Sequence, residues 1–284
     1  MKPTSYVKIS GGPEIAVYDI GGSGPDLLLC HATGLCGPTL GPLATLLLVR
    51  FHCVILDSRT HGRSSAPPDG SFHWSGFGSD ILAVARALDL RKPVGFGHSC
   101  GGASLLLAEE EEPGTFAQLF CYEPVIYPSD DPPPPLPGNK MAEAALHRRE
   151  TFGSFEEAYS NFAGKEPFAG FSEEALRAYV ENGFVPDGAG VRLACDRVHE
   201  SEIYINGASH DAFRNLARVR CPVELACGTE DPFLGPDTQR MIRERLNGSG
   251  QAARLQVFEG FGHFGPLAHP DAVAGWILDT AITG

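Results

Sequence analysis

A serine bracketed by glycines is the stretch of the sequence with the clearest capacity for chemistry. Residues 97–101, GHSCG, fit the pattern G-x-S-x-G. The pattern is short and recurs by chance, so it is informative only between a strand and a helix, where a sharp turn exposes the serine oxygen. That context is present. The apolar run PVGFG ends at the first glycine of the motif, and the helical pattern GGASLLLA begins two residues after the serine. Ser99 is therefore a candidate nucleophile, and the helix N-terminus beneath it favours negative charge nearby.

A serine nucleophile of this type needs an acid and then a histidine further along the chain, in that order. Asp231 lies in a loop directly after the apolar run VELAC, and His263 lies between glycines after RLQVF. Both loops follow predicted strands, and such strand-end loops should converge on the serine. The spacing therefore predicts His263 as the base and Asp231 as a candidate acid.

Short apolar runs that alternate with helical patterns must position these residues. The predicted strands are EIAVYDI, DLLLC, FHCVIL, KPVGFGH, QLFCY, CPVELAC and RLQVF. The predicted helices include SDILAVARALDL with Ser79 as its N-cap, GGASLLLAEEEE with Glu109 to Glu112 as a solvated end, and HPDAVAGWILDT. Such alternation predicts an α/β fold in which helices cover both faces of a mostly parallel sheet.

The stretch 125–210 interrupts this alternation. It opens with the proline-rich YPSDDPPPPLPGNK, which is incompatible with a helix or a central strand. Three helical patterns follow without a convincing strand between them, so we expect a helical cap over the strand ends, inserted between core segments 1–124 and 211–284. We expect its aromatic residues mostly to pack its own core and in part to line a pocket: Phe152, Phe155, Tyr159, Phe162, Phe168, Phe171, Tyr179 and Phe184.

Five stretches in order resemble the motifs of the α/β-hydrolase family. They are HATG, DSRTHGRS, GHSCGG, GTEDP and GFGHF, and the resemblance extends over nearly the whole chain apart from the insertion. Ala32 departs from the family, which often has glycine there, and Thr60 replaces the glycine before His61. Neither departure removes a catalytic group, since the family's oxyanion loop acts through backbone amides.

The resemblance implies a role for each matched residue. Ser99 corresponds to the nucleophile and His263 to the general base, and the backbone amides of Thr33 and Cys100 would form the oxyanion hole. Three further motif residues are expected to shape loops: Arg59, His61 and His98.

The acid has two candidates. Asp231 matches the common position after a late strand, and Glu123, in CYEPV, matches the position that some relatives use, including the zearalenone-type lactonases. Either carboxylate could orient the imidazole and stabilise its charged form. Asp231 is the preferred candidate, and Glu123 would then be a carboxylate of the pocket wall.

Composition excludes several other functions. The net charge of −13 over 284 residues argues against nucleic acid and anionic membrane surfaces as partners.

No signal-peptide pattern and no apolar run of the ~20 residues that cross a bilayer is present, so we expect a cytoplasmic protein. The triplet at 247–249, NGS, matches a glycosylation acceptor, which has no consequence without secretion. Eight cysteines without a CxxC pair indicate reduced thiols, and we expect neither a metal nor a cofactor.

A serine at this turn indicates acyl transfer, because the dehalogenase and epoxide hydrolase relatives use aspartate there. We expect a hydrolase that cleaves a carboxylic ester or lactone of an apolar small molecule through an acyl-enzyme at Ser99. Thioester, amide and C–C bond cleavage and perhydrolysis use the same groups. A ligand receptor of this fold with vestigial turnover is the alternative from another class. The sequence leaves the substrate and the oligomeric state open.

Overall fold

The computed structural model describes residues 1–248, 250 and 252–282, so Ser249 of the NGS triplet lies outside the described residues. The strands are β1 Ser5–Lys8, β2 Glu14–Gly21, β3 Asp26–Cys30, β4 His52–Leu56, β5 Val94–His98, β6 Gln118–Tyr122, β7 Thr151–Phe152, β8 Phe184–Asp187, β9 Gly190–Leu193, β10 Val223–Gly228 and β11 Ala253–Phe258. The α-helices are α1 Gly41–Leu47, α2 Trp74–Ala87, α3 Cys100–Glu111, α4 Lys140–His147, α5 Phe155–Ala163, α6 Glu173–Asn182, α7 Arg197–Ile205, α8 Ala212–Asn215, α9 Pro236–Gly248, α10 Gly265–Ala268 and α11 Pro270–Thr280.

Eight strands form one sheet in the order β1-β2-β4-β3-β5-β6-β10-β11. In this spatial order, each strand from β4 onwards is parallel to its next neighbour, up to β11. At the other edge, β2 pairs antiparallel with both β1 and β4. The prediction of a mostly parallel sheet flanked by helices is confirmed, and β1 is a strand that the sequence patterns did not reveal. The order also sets β5, which precedes Ser99, directly beside β6, which precedes Glu123.

Both faces of the sheet are buried, so the interior residues of the central strands β3, β5 and β6 are all apolar. On β3, Leu27 and Leu29 belong to one apolar cluster, and Leu28 and Cys30 belong to the other. The first cluster includes residues of α1 and α11, and the second includes residues of α2 and α3. Within the described part of the chain, no helix is both long and apolar enough to cross a membrane.

Helix α2 begins earlier than its pattern predicts. It starts at Trp74 after the N-cap His73, whose side chain accepts a hydrogen bond from the amide of Ser75. Ser79 is therefore not the N-cap and lies within the helix. The reason is tertiary, because Trp74 and Phe77 are buried and extend the apolar face of the helix by more than one turn.

Stretch 125–210 contains the three predicted helices as α4, α5 and α6, and α7 in addition. The expectation that it has no strand is wrong, because β7, β9 and β8 form a three-stranded antiparallel sheet in that order. These strands have two to four residues, which is too short for a recognisable period, and β8 contains Pro186. The proline-rich segment before α4 forms neither helix nor strand, as predicted.

The glutamates at the end of α3 are only partly solvated, which corrects the expectation for Glu109 to Glu112. Glu109 is fully buried, and its carboxylate accepts from the amides of Gly114, Phe116 and Arg220. Glu110 is 4% exposed, and its Oε1 has no hydrogen-bond partner among the described residues. The helix lies between the sheet and α8, so its last turn remains covered.

Glu110 should make the protein less stable as the pH rises. Burial raises the pKa of Glu110 from 4.5 to about 9, so the folded protein keeps a proton that the unfolded chain releases. The stability present below pH 4.5 is then lost progressively as the pH rises towards 9, by up to roughly 1.4 kcal/mol per pH unit. Glu110→Gln should therefore have a higher melting temperature than the parent at pH 8, and the difference should shrink at pH 5.

Glu111→Gln is the matched control, because it makes the same carboxyl-to-amide change at an exposed neighbour on the same helix. Its melting temperature should follow that of the parent at both pH values. If the parent and Glu110→Gln show parallel pH profiles, Glu110 is ionised in the folded protein and the interpretation is wrong.

Candidate active site

Ser99 lies in the turn between β5 and α3 in a backbone conformation that few residues other than glycine adopt. Its φ is 57° and its ψ is −115°, and its amide donates to the carbonyl of Tyr122 at 2.9 Å. The turn also depends on Gly101, because a Cβ atom there would lie 2.2 Å from the carbonyl oxygen of Cys30. The glycine thus lets α3 approach β3 closely enough to keep Ser99 at the carboxyl ends of the strands.

Ser99 and Glu123 both bind the imidazole of His263. The Oγ of Ser99 lies 3.0 Å from Nε2, and Oε2 of Glu123 lies 2.6 Å from Nδ1. A serine hydroxyl that donates to Nε2 requires the proton to be on Nδ1, from which it is donated to the carboxylate. The structure therefore brings the predicted Ser99 and His263 together and links them to Glu123 by hydrogen bonds.

Glu123 is fixed at both carboxylate oxygens. It follows β6 directly, is fully buried and has a φ of 44°. Its amide donates to the carbonyl of Ala226 at 2.8 Å, and its Oε1 accepts from the amide of Gly228 at 2.8 Å. Burial raises the pKa of this carboxyl, and the hydrogen bond with His263 opposes that rise. Oε2 is thus held in place to accept the Nδ1 proton.

Asp231 lies beside the imidazole but does not make the corresponding hydrogen bond. Its Oδ1 accepts from the amides of Phe233 and Leu234, each at 2.7 Å, so the carboxylate is held in its own turn. Its Oδ2 lies 3.5 Å from Nδ1 of His263, against 2.6 Å for Glu123. The carboxylate that is hydrogen-bonded to Nδ1 is thus that of Glu123, whereas the sequence favoured Asp231 as the acid.

Two buried side chains anchor the loop that carries His263. The Tyr122 hydroxyl donates to the carbonyl of Gly262 at 2.9 Å, and Nε2 of His98 donates to the carbonyl of His263 at 2.8 Å. Burial lowers the pKa of His98 well below its ordinary value, so this imidazole is neutral. Tyr122 was not singled out from the sequence, although its place one residue before Glu123 at the end of a strand was a usable signal.

Thr33 and Cys100 lie on the two sides of the nucleophile turn, in the loop after β3 and at the start of α3. Among the described residues, no group accepts a hydrogen bond from either backbone amide. The first amides of an α-helix have no partner within the helix, so that of Cys100 is available by construction. Both amides can therefore donate to a bound oxygen atom.

Neutral histidines hold the loop that contains Thr33. The His61 Nε2 accepts from the Gly34 amide at 3.0 Å, and the His31 Nδ1 donates to the Ala32 carbonyl at 2.7 Å. Burial lowers the pKa of His31 to about 4 and that of His61 to about 3, so both are uncharged at neutral pH. His61 can therefore act as an acceptor, which an imidazolium could not.

Arg59 and Thr60 connect the neighbouring loop to other elements. Arg59 is buried and forms a bidentate ion pair with Asp80, with Nε and Nη2 at 2.7 and 2.8 Å from the carboxylate oxygens. Thr60, at a φ of 64°, places its hydroxyl 2.9 Å from Nδ1 of His199 on α7. The departure from glycine at position 60 thus forms a link between this loop and the stretch 125–210.

A cavity of about 330 Å³ extends from the Thr33 loop into stretch 125–210. Phe264, next to His263, lies in its wall, and of the eight aromatic residues considered above only Phe162 and Phe168 do so. Phe152, Phe184 and Tyr179 instead pack around Phe162 in an aromatic cluster, with ring centroids 5.4–5.9 Å from its ring. The cavity is therefore bounded by the Thr33 loop, by Phe264 and by residues of α4, α5 and α7, and Ser99, His263 and Glu123 are not among its lining residues.

The two carboxylates and His263 could also hold a cation. The ligand atoms of Glu123, Asp231 and His263 all lie within 4.8 Å of one another. A cation bound to Nδ1 would displace the proton that Glu123 accepts. Metal binding and the hydrogen-bonded arrangement of Ser99, His263 and Glu123 therefore exclude each other.

Comparisons with known proteins identify relatives of this chain. It is 29% identical over 231 residues to the non-heme chloroperoxidase of Streptomyces lividans, which covers 78% of this chain and 79% of the relative. It is 26% identical to "Probable oxidoreductase EphD" of Mycobacterium tuberculosis over 95% of this chain, but it spans only 48% of that protein. It is 28% identical to the 2-(acetamidomethylene)succinate hydrolase of Mesorhizobium japonicum, over 60% of this chain and 59% of that one.

Solved structures and a family comparison agree on the fold. The crystal structure of E-2-(acetamidomethylene)succinate hydrolase superposes with a TM-score of 0.80 at 20% identity, and the match covers 97% of each chain. The sequence profile described as "Alpha/beta hydrolase family" matches residues 27–276, which include the nucleophile turn and both carboxylates. The chain belongs to the alpha/beta hydrolase family.

Proposed function

We propose that the protein is a serine hydrolase that cleaves a carboxylic ester or lactone through an acyl-enzyme at Ser99. The observation that carries this proposal is the continuous chain of hydrogen bonds from Ser99 through His263 to Glu123. A nucleophile, a base within hydrogen-bond reach and a group that orients the base are the combination that acyl transfer requires.

In the first half of the reaction, Ser99 Oγ attacks the substrate carbonyl while Nε2 of His263 takes its proton. Glu123 stabilises the imidazolium that forms, and the amides of Thr33 and Cys100 donate to the oxyanion. Collapse of the tetrahedral intermediate breaks the bond to the leaving alkoxide, which receives the proton from Nε2. The acyl group is then esterified to Ser99.

In the second half, a water molecule attacks the acyl-enzyme with His263 again as the base. A second tetrahedral intermediate forms at the same amides and expels Ser99, which regains its proton. The product is a free carboxylic acid. For a lactone the leaving hydroxyl remains attached to the acyl group, so the only product is a hydroxy acid.

The aromatic wall of the cavity supports an apolar body for the substrate. Phe162, Phe168 and Phe264 face a space of about 330 Å³, which admits a small molecule. The relative named as a hydrolase supports hydrolysis, and the relative named as a chloroperoxidase makes perhydrolysis a second candidate. In perhydrolysis, hydrogen peroxide replaces water in the second half and a peracid is released, which a peracid assay in the presence of acetate and peroxide would detect.

Ser99 should react selectively with a fluorophosphonate, because its hydroxyl is activated by His263. Intact mass should show one adduct, and peptide mapping should place it on Ser99. Ser99→Ala should lose the adduct and about 10⁴- to 10⁶-fold of the activity against p-nitrophenyl esters and simple lactones.

His263→Ala is the control for activation, because it keeps the serine and removes the base. It should label far more slowly than the parent. Ester hydrolysis by Ser99→Ala at the parent's rate would rule out the proposed mechanism.

Glu123→Gln should be far more damaging than Asp231→Asn. The Gly228 amide holds the Oε1 position, so the new NH2 group would face Nδ1 of His263 and force the tautomer in which Nε2 carries the proton. This tautomer cannot accept from Ser99, so kcat should fall roughly 10⁴-fold. Asp231→Asn leaves the bond to Glu123 in place and should cost less than about 10-fold.

The two amide variants are matched controls for each other, since each removes one negative charge beside the same imidazole. Steady-state kcat and circular dichroism of both variants make the comparison. The opposite order of damage would assign the orienting role to Asp231.

A further inference from the structure

The wall of the cavity contains charged side chains in an otherwise acidic protein. Three basic and two acidic residues line it, whereas the chain as a whole carries a net charge of −13. Lys165, at the rim, has the neutral Asn161 as its hydrogen-bond partner, with Nζ and Oδ1 2.6 Å apart. Arg148 and Arg149 form ion pairs with Glu200 and Glu157, so the lining of the cavity is close to neutral or slightly basic, in contrast to the acidic chain as a whole.

Arg148 is the basic residue that lies deepest in this wall. Its side chain is 17% exposed, and its Nη1 lies 2.9 and 2.8 Å from the two oxygens of Glu200. Its Nη2 donates to the hydroxyl of Tyr179. Desolvating an ion pair costs much of the energy that the pair provides, so stability alone is a weak reason for such a pair in an aromatic wall.

The guanidinium keeps donors free on the side that Glu200 does not occupy. An arginine has five N–H donors, and Nε has no hydrogen-bond partner among the described residues. Glu200 and Tyr179 fix the orientation of the group, and a planar fork of this kind matches the two oxygens of a carboxylate. Glu200 thus fixes the orientation of Arg148 and leaves the Nε–H donor of the guanidinium without a partner among the described residues.

We infer that the substrate carries a carboxylate that Arg148 binds in this cavity while its scissile carbonyl lies at Ser99. This inference rests on the proposed function, because it names the class of ester or lactone that the same site accepts. The aromatic side chains Phe162 and Phe168 contact the apolar part between the two ends. Lys165 attracts the anion to the mouth of the cavity.

A pair of substrates that differ by one charge tests the inference. The mono-p-nitrophenyl ester of glutaric acid carries a free carboxylate, and the same compound with that carboxylate methylated is neutral and has the same leaving group. The parent should hydrolyse the charged ester with a kcat/KM about 10- to 100-fold higher than that for the neutral ester, because only the charged ester forms a charge-assisted hydrogen bond with Arg148. The difference should lie mainly in KM.

Two variants separate binding from a purely structural role. Arg148→Gln combined with Glu200→Gln removes both charges without leaving one unpaired, and the ratio of kcat/KM for the two esters should fall towards one. Glu200→Gln alone keeps an amide oxygen that can accept from Arg148 and hold its orientation, but removes the charge that competes with a bound carboxylate, so the ratio should rise several-fold. A ratio that the double variant leaves at the parent's value would overturn the inference.

Arg177→Gln is the matched control, since Arg177 is an exposed arginine on α6 that pairs with Glu173 outside the cavity. Its ratio should equal that of the parent. Fluorophosphonate labelling of Ser99 distinguishes the two possible failures. A labelled parent with equal rates on both esters contradicts the carboxylate assignment alone, whereas a parent that neither labels nor hydrolyses either ester contradicts the proposed function.

A binding measurement tests the inference without turnover. Free glutarate should raise the melting temperature of the parent, and its dimethyl ester at the same concentration should not. The double variant should show no shift with either compound. The absence of a shift in the parent would overturn the inference.

Discussion

The left-handed backbone conformation of Ser99 is the constraint on which the site depends. A φ of 57° at a residue with a Cβ is unfavourable and persists only where its surroundings enforce it. The surroundings here are the close approach of α3 to β3 at Gly101 and the hydrogen bond from the Ser99 amide to the end of β6. The packing of α3 against the sheet thus determines where the Ser99 hydroxyl points, and the remaining groups are arranged around its oxygen atom.

Hydrogen bonds of buried, uncharged side chains hold the groups around Ser99 in place. Tyr122 and His98 donate to the carbonyl groups of Gly262 and His263, and His61 accepts from the amide of Gly34 in the loop after β3. Burial keeps these imidazoles neutral, so their hydrogen bonds do not change with pH in the physiological range. Among these contacts, the charged group is the carboxylate of Glu123, which accepts a hydrogen bond from Nδ1 of His263.

The sequence predicts the features that depend on local patterns, and it does not predict those that tertiary packing determines. Ser99 and His263 are recognisable because turn glycines and strand ends are local features. The choice between Glu123 and Asp231 depends on which carboxylate a neighbouring loop leaves free, and the amides after Asp231 that bind its Oδ1 are not a sequence signal. The run of charges from Glu109 to Glu112 predicts a solvated helix end, whereas Glu109 and Glu110 are buried where α3 packs against its neighbours. The strands β7 to β9 were missed because they are too short to show a period.

Stretch 125–210 is in direct contact with the loop of Thr33 and Gly34 through Glu200. Gly34, at a φ of 78°, donates its amide to His61 of the core on one side. On the other side, a Cβ atom at this position would lie 2.6 Å from Oε1 of Glu200. Any side chain here would push away the carboxylate that orients Arg148, so the glycine of the HATG motif is required by the cavity wall as well as by the backbone. A movement of α7 would therefore disturb both the loop of Thr33 and Gly34 and the cavity wall that contains Glu200.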